Sequence, residues 1–137
     1  MGVNLGKESR EEYMKPIMEA TADIQPNLIF NNAGFIATGL FADMPLERVL
    51  ANYHCNATAT IPITHYFVNR MLNAKQKGAV FFTSSPAGSA TLVLFSAKTR
   101  CCQCACAGFL PAPTSAMYGA TKAFLTHLAM DLAAELK

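Results

Sequence analysis

Residues 28–34 read Leu-Ile-Phe-Asn-Asn-Ala-Gly, and this stretch decides the fold. Three apolar residues in a row, with Pro26 and Asn27 before them, predict a short strand buried on both faces, because such a strand needs no polar alternation. The polar residues and Gly34 behind them predict a turn at the carboxyl end of the strand. The pattern recurs at residues 79–85, where Ala-Val-Phe-Phe is followed by Thr-Ser-Ser. The sequence therefore contains two units of strand and polar turn.

Helical patterns lie before and between these strands. Ser9 and Glu12 have the spacing of a capping box at the start of the first helix, in which Pro16 is expected to cause a bend or a late start. A longer helix follows the first strand, with Asp43 as its cap candidate and a kink expected at Pro62. Helices of this length between strands predict crossover connections rather than hairpins.

The last helix carries the clearest periodicity, with Thr114 or Ser115 as its cap. Its periodic residues are Tyr118, Lys122, Leu125, Leu128, Leu132 and Leu136. Residues 3–5 could be the tail of a further strand. The predicted fold is α/β, a partial Rossmann-like, doubly wound parallel sheet with helices on both faces. Two strands are few for such a sheet.

Length and composition limit the classes of protein to which the chain can belong. The 137 residues allow one domain, and 52% hydrophobic with 15% charged residues argues against a disordered tail or a coiled coil. The formal charge of +2 without a basic block argues against a nucleic acid partner. No apolar run approaches the roughly 18 residues of a transmembrane segment, and the start lacks the pattern of a signal peptide. We therefore expect a soluble, cytoplasmic protein.

Tyr118 and Lys122 stand four residues apart, which places their side chains on one face of a helix. A phenol, with a pKa of about 10, is a poor acid or base at neutral pH, and a nearby ammonium favours the phenolate form. Ser85, at the end of the second strand, could donate a hydrogen bond to a substrate carbonyl. A tyrosine and a lysine at this spacing also occur by chance in many helices, so the pair needs context.

The context is a set of three motifs in one order. They are Asn31-Asn-Ala-Gly34 after the first strand, Thr83-Ser-Ser85 after the second, and Tyr118-Gly-Ala-Thr-Lys122 on the last helix. Together they resemble the short-chain dehydrogenase/reductase family. The resemblance implies hydride transfer between NAD or NADP and a carbonyl or hydroxyl group. Phe35 and the apolar residues 109–113 are similar to those of hydroxysteroid dehydrogenases and 3-oxoacyl reductases, which implies a small lipophilic carbonyl or alcohol as substrate.

The resemblance also implies residue roles. Tyr118 matches the catalytic acid/base, and Lys122 matches the lysine that supports the tyrosinate and holds the nicotinamide ribose. Ser85 matches the serine that orients the substrate, and Asn56 matches the asparagine that positions a water in the proton relay. The cofactor-binding residues implied by the resemblance are Asn31, Asn32, Ala33, Gly34, Tyr118 and Lys122. The three histidines share no ligand spacing, so no metal site is expected.

The chain departs from the family pattern at its start. The family begins with a strand, a glycine-rich turn and a helix that receives the pyrophosphate, and the printed sequence has no such unit. The match begins near the third strand of the family fold and ends after the catalytic helix. We therefore interpret residues 1–137 as a single partial domain, truncated at both ends, with little cofactor binding or turnover expected in isolation.

A second departure separates Ser85 from Tyr118 by 33 positions. Removing the 20 residues 89–108 restores the usual family spacing, which marks that segment as an insert. It holds four of the five cysteines, at positions 101, 102, 104 and 106. A metal-thiolate cluster, a lineage-specific loop and translated non-coding sequence are the open interpretations. We favour the last, because excision leaves a continuous family-like stretch.

A non-catalytic function is the alternative. In the family, the long helix and the tyrosine-bearing helix commonly build the oligomer interface, and both are present here. The chain could thus be an oligomerisation or interaction module, pairing two copies through these helices. Because elements meant to be buried on both sides have lost neighbours, we also expect exposed apolar surface.

Overall fold

A computed structural model of the chain describes residues 2–7, 9–83, 90–95 and 113–136, and at 90–95 it describes the backbone alone. The helices of this part are α1 (Arg10–Ala20), α2 (Leu46–Tyr53), α3 (Thr60–Asn73) and α4 (Ala116–Glu135). A π-helical turn, His54–Thr58, joins α2 to α3. The strands are β1 (Leu28–Asn31), β2 (Gly78–Thr83) and β3 (Ala90–Phe95). No helix in the described part is long and apolar enough to cross a membrane.

The strands form one sheet in the order β1-β2-β3. β1 runs parallel to β2, with Leu28 opposite Ala79 and Asn31 opposite Phe82. The crossover through α2 and α3 confirms the predicted α/β arrangement of the two strands. β3 runs antiparallel to β2, with Ala90 opposite Thr83. Since β3 lies within residues 89–108, part of the predicted insert extends the sheet beyond β2.

The main core lies on one face of this sheet. Alternate strand residues point to the same face, and Ile29, Val80 and Phe82 together meet α3 and α4. The helix residues buried in this cluster are Phe67, Val68, Met71, Leu125 and Ala129. α1 packs against the outer side of α3 through Tyr13 and Met14, which form a smaller cluster with Ala59.

The opposite face of β1 carries exposed apolar side chains. Leu28 is 54% exposed and Phe30 is 64% exposed, so the prediction that β1 is buried on both faces is wrong. The Phe30 ring stacks on that of Phe81, with centroids 4.5 Å apart. Helices were expected on both faces of the sheet. In the described residues, α3 and α4 both pack on the face that carries Ile29.

Ser9 and Ser115 occupy N-cap positions as predicted, but neither side chain makes a capping hydrogen bond, and the start of α2 differs from the prediction. Ser9 is the N-cap of α1, but its side chain makes no capping hydrogen bond, and Glu12 pairs with Lys7 instead. α2 begins after Pro45 rather than near Asp43, because the Pro45 carbonyl accepts hydrogen bonds from the N–H groups of Arg48 and Val49. Ser115 precedes α4, likewise without a side-chain cap.

The long helical segment is interrupted at the π turn and not at Pro62. The Ala59 N–H donates to the His54 carbonyl at 2.9 Å, five residues back, which is the π-helical pattern. Pro62 is the third residue of α3, and the helix continues through it to Asn73. Pro16 lies inside α1, which continues through it to Ala20.

Residues 3–5 form no strand. Val3 and Leu5 instead pack against the cluster of Tyr13, Met14 and Ala59, so their apolar side chains are used for helix packing. The prediction of a strand tail is therefore wrong. In the described part, no strand lies beside residues 3–5 to pair with their backbone.

Gly78 provides a test of this packing. A Cβ at this position would lie 2.7 Å from the Asn27 carbonyl oxygen and would also meet the Met71 sulfur. We expect Gly78→Ala to lower the free energy of unfolding by about 1–3 kcal/mol, because backbone and core would have to shift. Gly2→Ala is the matched control, since nothing lies within 4 Å of its Cβ position. Urea unfolding followed by circular dichroism measures both, and equal midpoints would contradict the argument.

Candidate active site

A buried lysine ties the last helix to the carboxyl end of the central strands. Lys122 on α4 is 4% exposed, and its Nζ donates a hydrogen bond to the Thr83 carbonyl at 2.8 Å. Thr83 is the last residue of β2, so this bond fixes the first turns of α4 against the strand end. Ligand sites of doubly wound sheets lie at this edge.

Tyr118 lies one turn before Lys122 on the same helix face. The Lys122 Nζ stands 5.5 Å from the centroid of the Tyr118 ring, within the range of a cation–π contact. Tyr118 is half-buried, whereas Lys122 is enclosed. The structure thus brings the two together with the phenol on the more accessible side.

Asn56 lies in the π turn and is fully buried. Its Oδ1 accepts from the Phe35 N–H and its Nδ2 donates to the Phe35 carbonyl, each at 2.9 Å. The same Nδ2 lies 3.4 Å from the Thr121 Oγ1 on α4. One amide side chain therefore joins the turn after β1, the π turn and α4. Single π turns in helices are frequently found at functional positions.

Gly34 is required by the close approach of these groups. A Cβ there would lie 3.0 Å from the Asn56 Oδ1 and 3.7 Å from the Lys122 Nζ. Any larger residue would push against the amide that holds Phe35. The Gly34 backbone therefore lies beside both Asn56 and Lys122, and it is exposed on its other side.

The two asparagines before Gly34 have different positions. Asn31 is buried and its Nδ2 donates to the Thr64 Oγ1 at 2.9 Å, so its side chain contacts α3 on the helix-covered face. Asn32 is exposed, and its Oδ1 accepts from the Thr83 Oγ1 at 2.8 Å. This second bond joins the carboxyl ends of β1 and β2. Both side chains hold the site's framework in this structure.

Asn52 is a member of the cluster that the sequence analysis missed. It is fully buried, and its Nδ2 donates to the Phe35 carbonyl at 2.6 Å, the same oxygen that Asn56 contacts. Its Oδ1 is buried without a hydrogen-bond partner in the described part of the chain. The available signal was its spacing, because an asparagine four residues before Asn56 lies on the same helix face.

Burial and a neighbouring thiol set the electrostatics of the lysine. Burial lowers the pKa of Lys122 by penalising the ammonium form, and the Cys55 thiolate acts in the opposite direction. Burial likewise raises the pKa of Cys55, while the charge of Lys122 lowers it. Each group therefore favours the charged form of the other, but burial, which disfavours both charged forms, is the larger effect.

An open cavity of about 640 Å³ lies beside this cluster. Its walls are residues 2–6 together with Ala33, Phe35, Ala51 and Cys55. Within this wall the Asn4 Oδ1 accepts from the Gly6 N–H at 3.0 Å. A larger open groove, about 1010 Å³, runs between α1 and α3 and is lined by none of the site residues named above.

Two predicted features lie outside the described residues. Ser85 falls there, as do the four clustered cysteines at positions 101, 102, 104 and 106. Within the described part no group of three potential metal ligands comes together. His54 instead has its Nδ1 3.1 Å from the Thr58 Oγ1, inside the π turn.

The lowered pKa of Lys122 predicts a pH dependence of stability. Between that pKa and the ordinary value of 10.5, the unfolded chain holds a proton that the folded chain has lost. The contribution of Lys122 to stability therefore rises with pH through this window and is smallest below it. We expect Lys122→Met to gain most over wild type at lower pH, and this advantage to shrink as the pH approaches 10.5.

Chemical unfolding of both proteins across this range measures the effect. Lys15→Met is the matched control, because Lys15 is exposed on α1. Its stability difference from wild type should not change with pH. An advantage of Lys122→Met that grows with pH would contradict the burial argument.

The fold and the site can be compared with known proteins. No curated protein matches the chain. Among solved structures, the bulky-bulky ketone specific alcohol dehydrogenase from Comamonas testosteroni has a TM-score of 0.74 at 20% identity, and the match covers 99% of this chain and 45% of that one. A 7beta-hydroxysteroid dehydrogenase has a TM-score of 0.74 at 19% identity, covering 97% and 43%. A short-chain dehydrogenase from Sphingobium yanoikuyae in complex with NADPH has a TM-score of 0.72 at 22% identity, covering 98% and 44%.

These structures show that the fold is Rossmann-like and that the chain spans less than half the length of each of the three. The family model described as short chain dehydrogenase matches residues 3–97. This range contains both parallel strands, the π turn with Asn56 and the Gly34 turn. The chain therefore belongs to the short-chain dehydrogenase family, an oxidoreductase family.

Proposed function

We propose that this chain carries the proton-transfer half of a nicotinamide-dependent dehydrogenase site, with Tyr118 as acid/base. The observation that carries the proposal is the enclosed Lys122, which is bonded to the Thr83 carbonyl and stands beside the Tyr118 ring. An ammonium held there provides a positive charge beside the tyrosine ring, where charge develops when the hydroxyl proton is transferred. Asn56 and Gly34 complete the cluster at the strand ends where such folds bind ligands.

The proposed reaction divides hydride and proton between two sources. A reduced nicotinamide, when bound, would supply the hydride to the carbonyl carbon of the substrate. The Tyr118 hydroxyl gives its proton to the carbonyl oxygen, which becomes the alcohol. The phenolate left behind is stabilised by Lys122 and recovers a proton from solvent. In the reverse direction, the same phenolate takes the alcohol proton.

The residues present fit the nicotinamide end of the cofactor. The Gly34 backbone is exposed beside Lys122, and the missing side chain leaves room for a ribose to approach. Several solved neighbours are complexes with NADH or NADPH, which supports NAD or NADP here. The printed sequence has no glycine-rich turn for the pyrophosphate. We therefore expect the chain to hold the nicotinamide ribose weakly and to gain little from the adenosine half.

A lipophilic carbonyl or alcohol is the proposed substrate class. The segment that follows Gly34 in the chain exposes several apolar side chains, namely Phe35, Ile36, Leu40 and Phe41. Such a surface suits an apolar substrate better than a charged one. The named activities of two neighbours, on bulky ketones and on a hydroxysteroid, agree with this class.

The test compares two reduced nicotinamides of different size. Reduced nicotinamide mononucleotide lacks the adenosine half of NADPH. We expect saturation-transfer NMR to show binding of both, with dissociation constants within about tenfold of each other. With a bulky aromatic ketone and excess mononucleotide, Tyr118→Phe should lower alcohol formation at least about a hundredfold.

Tyr53→Phe is the matched control, because Tyr53 is a partly exposed tyrosine on α2. It should leave both binding and turnover unchanged. Micromolar binding of NADPH, far tighter than that of the mononucleotide, would show that the chain holds the whole cofactor. Absence of mononucleotide binding would show that it holds neither half. Either result overturns the proposal.

A second candidate function is self-association, and the outer face of α2 favours it. Leu46, Leu50 and Tyr53 follow each other at helical spacing and are 63%, 41% and 41% exposed. Phe124 lies on α4, which packs against α2, and is 37% exposed. Two copies could bury these stripes against each other, as the family resemblance implies for the long helix and the Tyr118 helix.

Light scattering tests this candidate. We expect the wild-type chain to be dimeric at about 100 μM, and Leu46→Glu with Leu50→Glu to give monomers, because two carboxylates cannot be buried unpaired. Leu72→Glu is the matched control, a 51% exposed leucine on α3. A monomeric wild type, or a dimer unaffected by the α2 changes, would refute the candidate.

A further inference from the structure

Asn52 is a fully buried amide that is hydrogen-bonded through only one of its two polar atoms in the described part of the chain. Its Nδ2 donates to the Phe35 carbonyl at 2.6 Å. A carbonyl can only accept hydrogen bonds, so this contact fixes which end of the amide faces Phe35. The Oδ1 then lies on the other side, buried and without a donor among the described residues. A buried acceptor without a donor weakens a fold, so this amide needs an explanation other than stability.

The Phe35 carbonyl has a second donor and does not depend on Asn52 for its hydrogen bond. Asn56, one helical turn later, donates to the same oxygen at 2.9 Å. Asn52→Leu would keep the branched shape of the side chain and would remove the unpartnered oxygen. Stability alone therefore favours an apolar residue at this position, and the amide is explained by the groups that it holds in place.

Those groups form a hydrogen-bonded chain that ends at Tyr118. The Asn56 Nδ2, already bonded to the Phe35 carbonyl, also lies 3.4 Å from the Thr121 Oγ1. The Thr121 hydroxyl in turn donates to the Tyr118 carbonyl at 2.8 Å. Asn56 and Thr121 are 0% and 2% exposed, so little solvent competes for these bonds. A shift of the Phe35 carbonyl would therefore be passed through two buried side chains to the first turn of α4.

The same carbonyl also restrains the turn that carries Gly34. Phe35 follows Gly34 directly, and a Cβ at Gly34 would lie 3.7 Å from the Lys122 Nζ. Two amides bond the Phe35 oxygen, one from α2 and one from the π turn. The Phe35 peptide group cannot rotate without breaking both bonds. Asn52 thus limits the movement of the backbone beside Lys122 as well as that of α4.

We propose that Asn52 is a positioning residue for the Tyr118 site. It acts through the Phe35 carbonyl and Asn56 rather than on the substrate, and it keeps the Gly34 backbone and the start of α4 in fixed relative positions. Its effect on turnover rests on the function proposed above, whereas its hold on Phe35 does not. The fold loses some stability through this amide, a trade that is common at functional sites.

Asn52→Leu tests the proposal in the full chain. Its urea midpoint should equal or exceed that of wild type, because a buried acceptor without a partner is removed. Exchange of the Phe35 N–H with solvent should nonetheless become at least about tenfold faster, since its acceptor Asn56 is held less firmly. The Ala79 N–H, bonded to the Asn27 carbonyl at the start of β2, is the internal control and should keep its exchange rate.

The effect at Tyr118 has two readouts of its own. The dipeptide Tyr-Gly occurs once in the sequence, so ¹³C-labelled tyrosine with ¹⁵N-labelled glycine selects the Tyr118 carbonyl signal in NMR. Asn52→Leu should shift this signal, because the Thr121 hydroxyl that donates to the carbonyl moves with Asn56. With a bulky aromatic ketone and excess reduced nicotinamide mononucleotide, kcat should fall at least about tenfold while KM for the ketone stays within about twofold.

Val68→Ala is the matched control, since Val68 is a 7% exposed residue of the main core outside this hydrogen-bonded chain. It should lower the urea midpoint and leave kcat and the Tyr118 carbonyl signal unchanged.

The outcomes separate this proposal from the proposed function. A lower urea midpoint for Asn52→Leu, an unchanged Phe35 exchange rate, an unshifted Tyr118 signal or a kcat equal to that of wild type would each overturn the positioning role. A wild type without turnover would count against the proposed function. In that case faster Phe35 exchange and a shifted Tyr118 signal in Asn52→Leu would still support the positioning role.

Discussion

The structure of the site depends on the amide side chain of Asn56, which hydrogen-bonds to both the N–H and the carbonyl of Phe35. The Asn56 Oδ1 and Nδ2 satisfy the N–H and the carbonyl of Phe35, as a neighbouring strand would. The turn after β1 can therefore leave the sheet without losing its hydrogen bonds, and this brings Gly34 against Asn56 and near Lys122. A buried peptide group without partners would destabilise the turn by about 1–3 kcal/mol. The π turn is the local structure that places Asn56, and the Thr121 contact extends the same link to α4.

A second constraint follows from the first. With the Gly34 turn and β2 fixed, the amine of Lys122 is enclosed and has the Thr83 carbonyl as its hydrogen-bond acceptor. Burial penalises its charge, and that cost is offset in part by this carbonyl and by the face of the Tyr118 ring. A charged group held under such a penalty interacts strongly with any negative charge that forms nearby, because little water screens it. The same burial that weakens the fold at neutral pH therefore leaves a weakly screened positive charge beside the Tyr118 ring.

Sequence patterns predicted the elements better than their ends. Both parallel strands were foreseen, and the three predicted helices correspond to α1, to the segment of α2 and α3, and to α4, because apolar runs and helical periodicity report burial directly. The start of α2 was misplaced at Asp43, because α2 begins after Pro45. Ser9 is the N-cap of α1 as predicted, but the capping box does not form, since Glu12 pairs with Lys7 instead. The interruption was assigned to Pro62, whereas the π turn arises from the fit of Asn56 to Phe35, 21 residues away in the chain. Tyr118, Lys122, Gly34 and Asn56 were foreseen as neighbours by resemblance. Asn52 was not, because the resemblance assigns it no role, although it bonds the same Phe35 carbonyl as Asn56.

The exposed side of β1 was misjudged for a different reason. An apolar run such as Leu28-Ile-Phe predicts a strand that is buried on both faces. The run shows that the strand is suited to such burial, but it does not show whether other elements cover both faces. The covered face has α3 and α4, and it also carries the anchored Asn31. The uncovered face has Leu28 and Phe30, on the side of β1 that remains open. In the described residues, the turns that carry Gly34 and Thr83 therefore leave a sheet that is covered by helices on the Ile29 face and exposes Leu28 and Phe30 on the other.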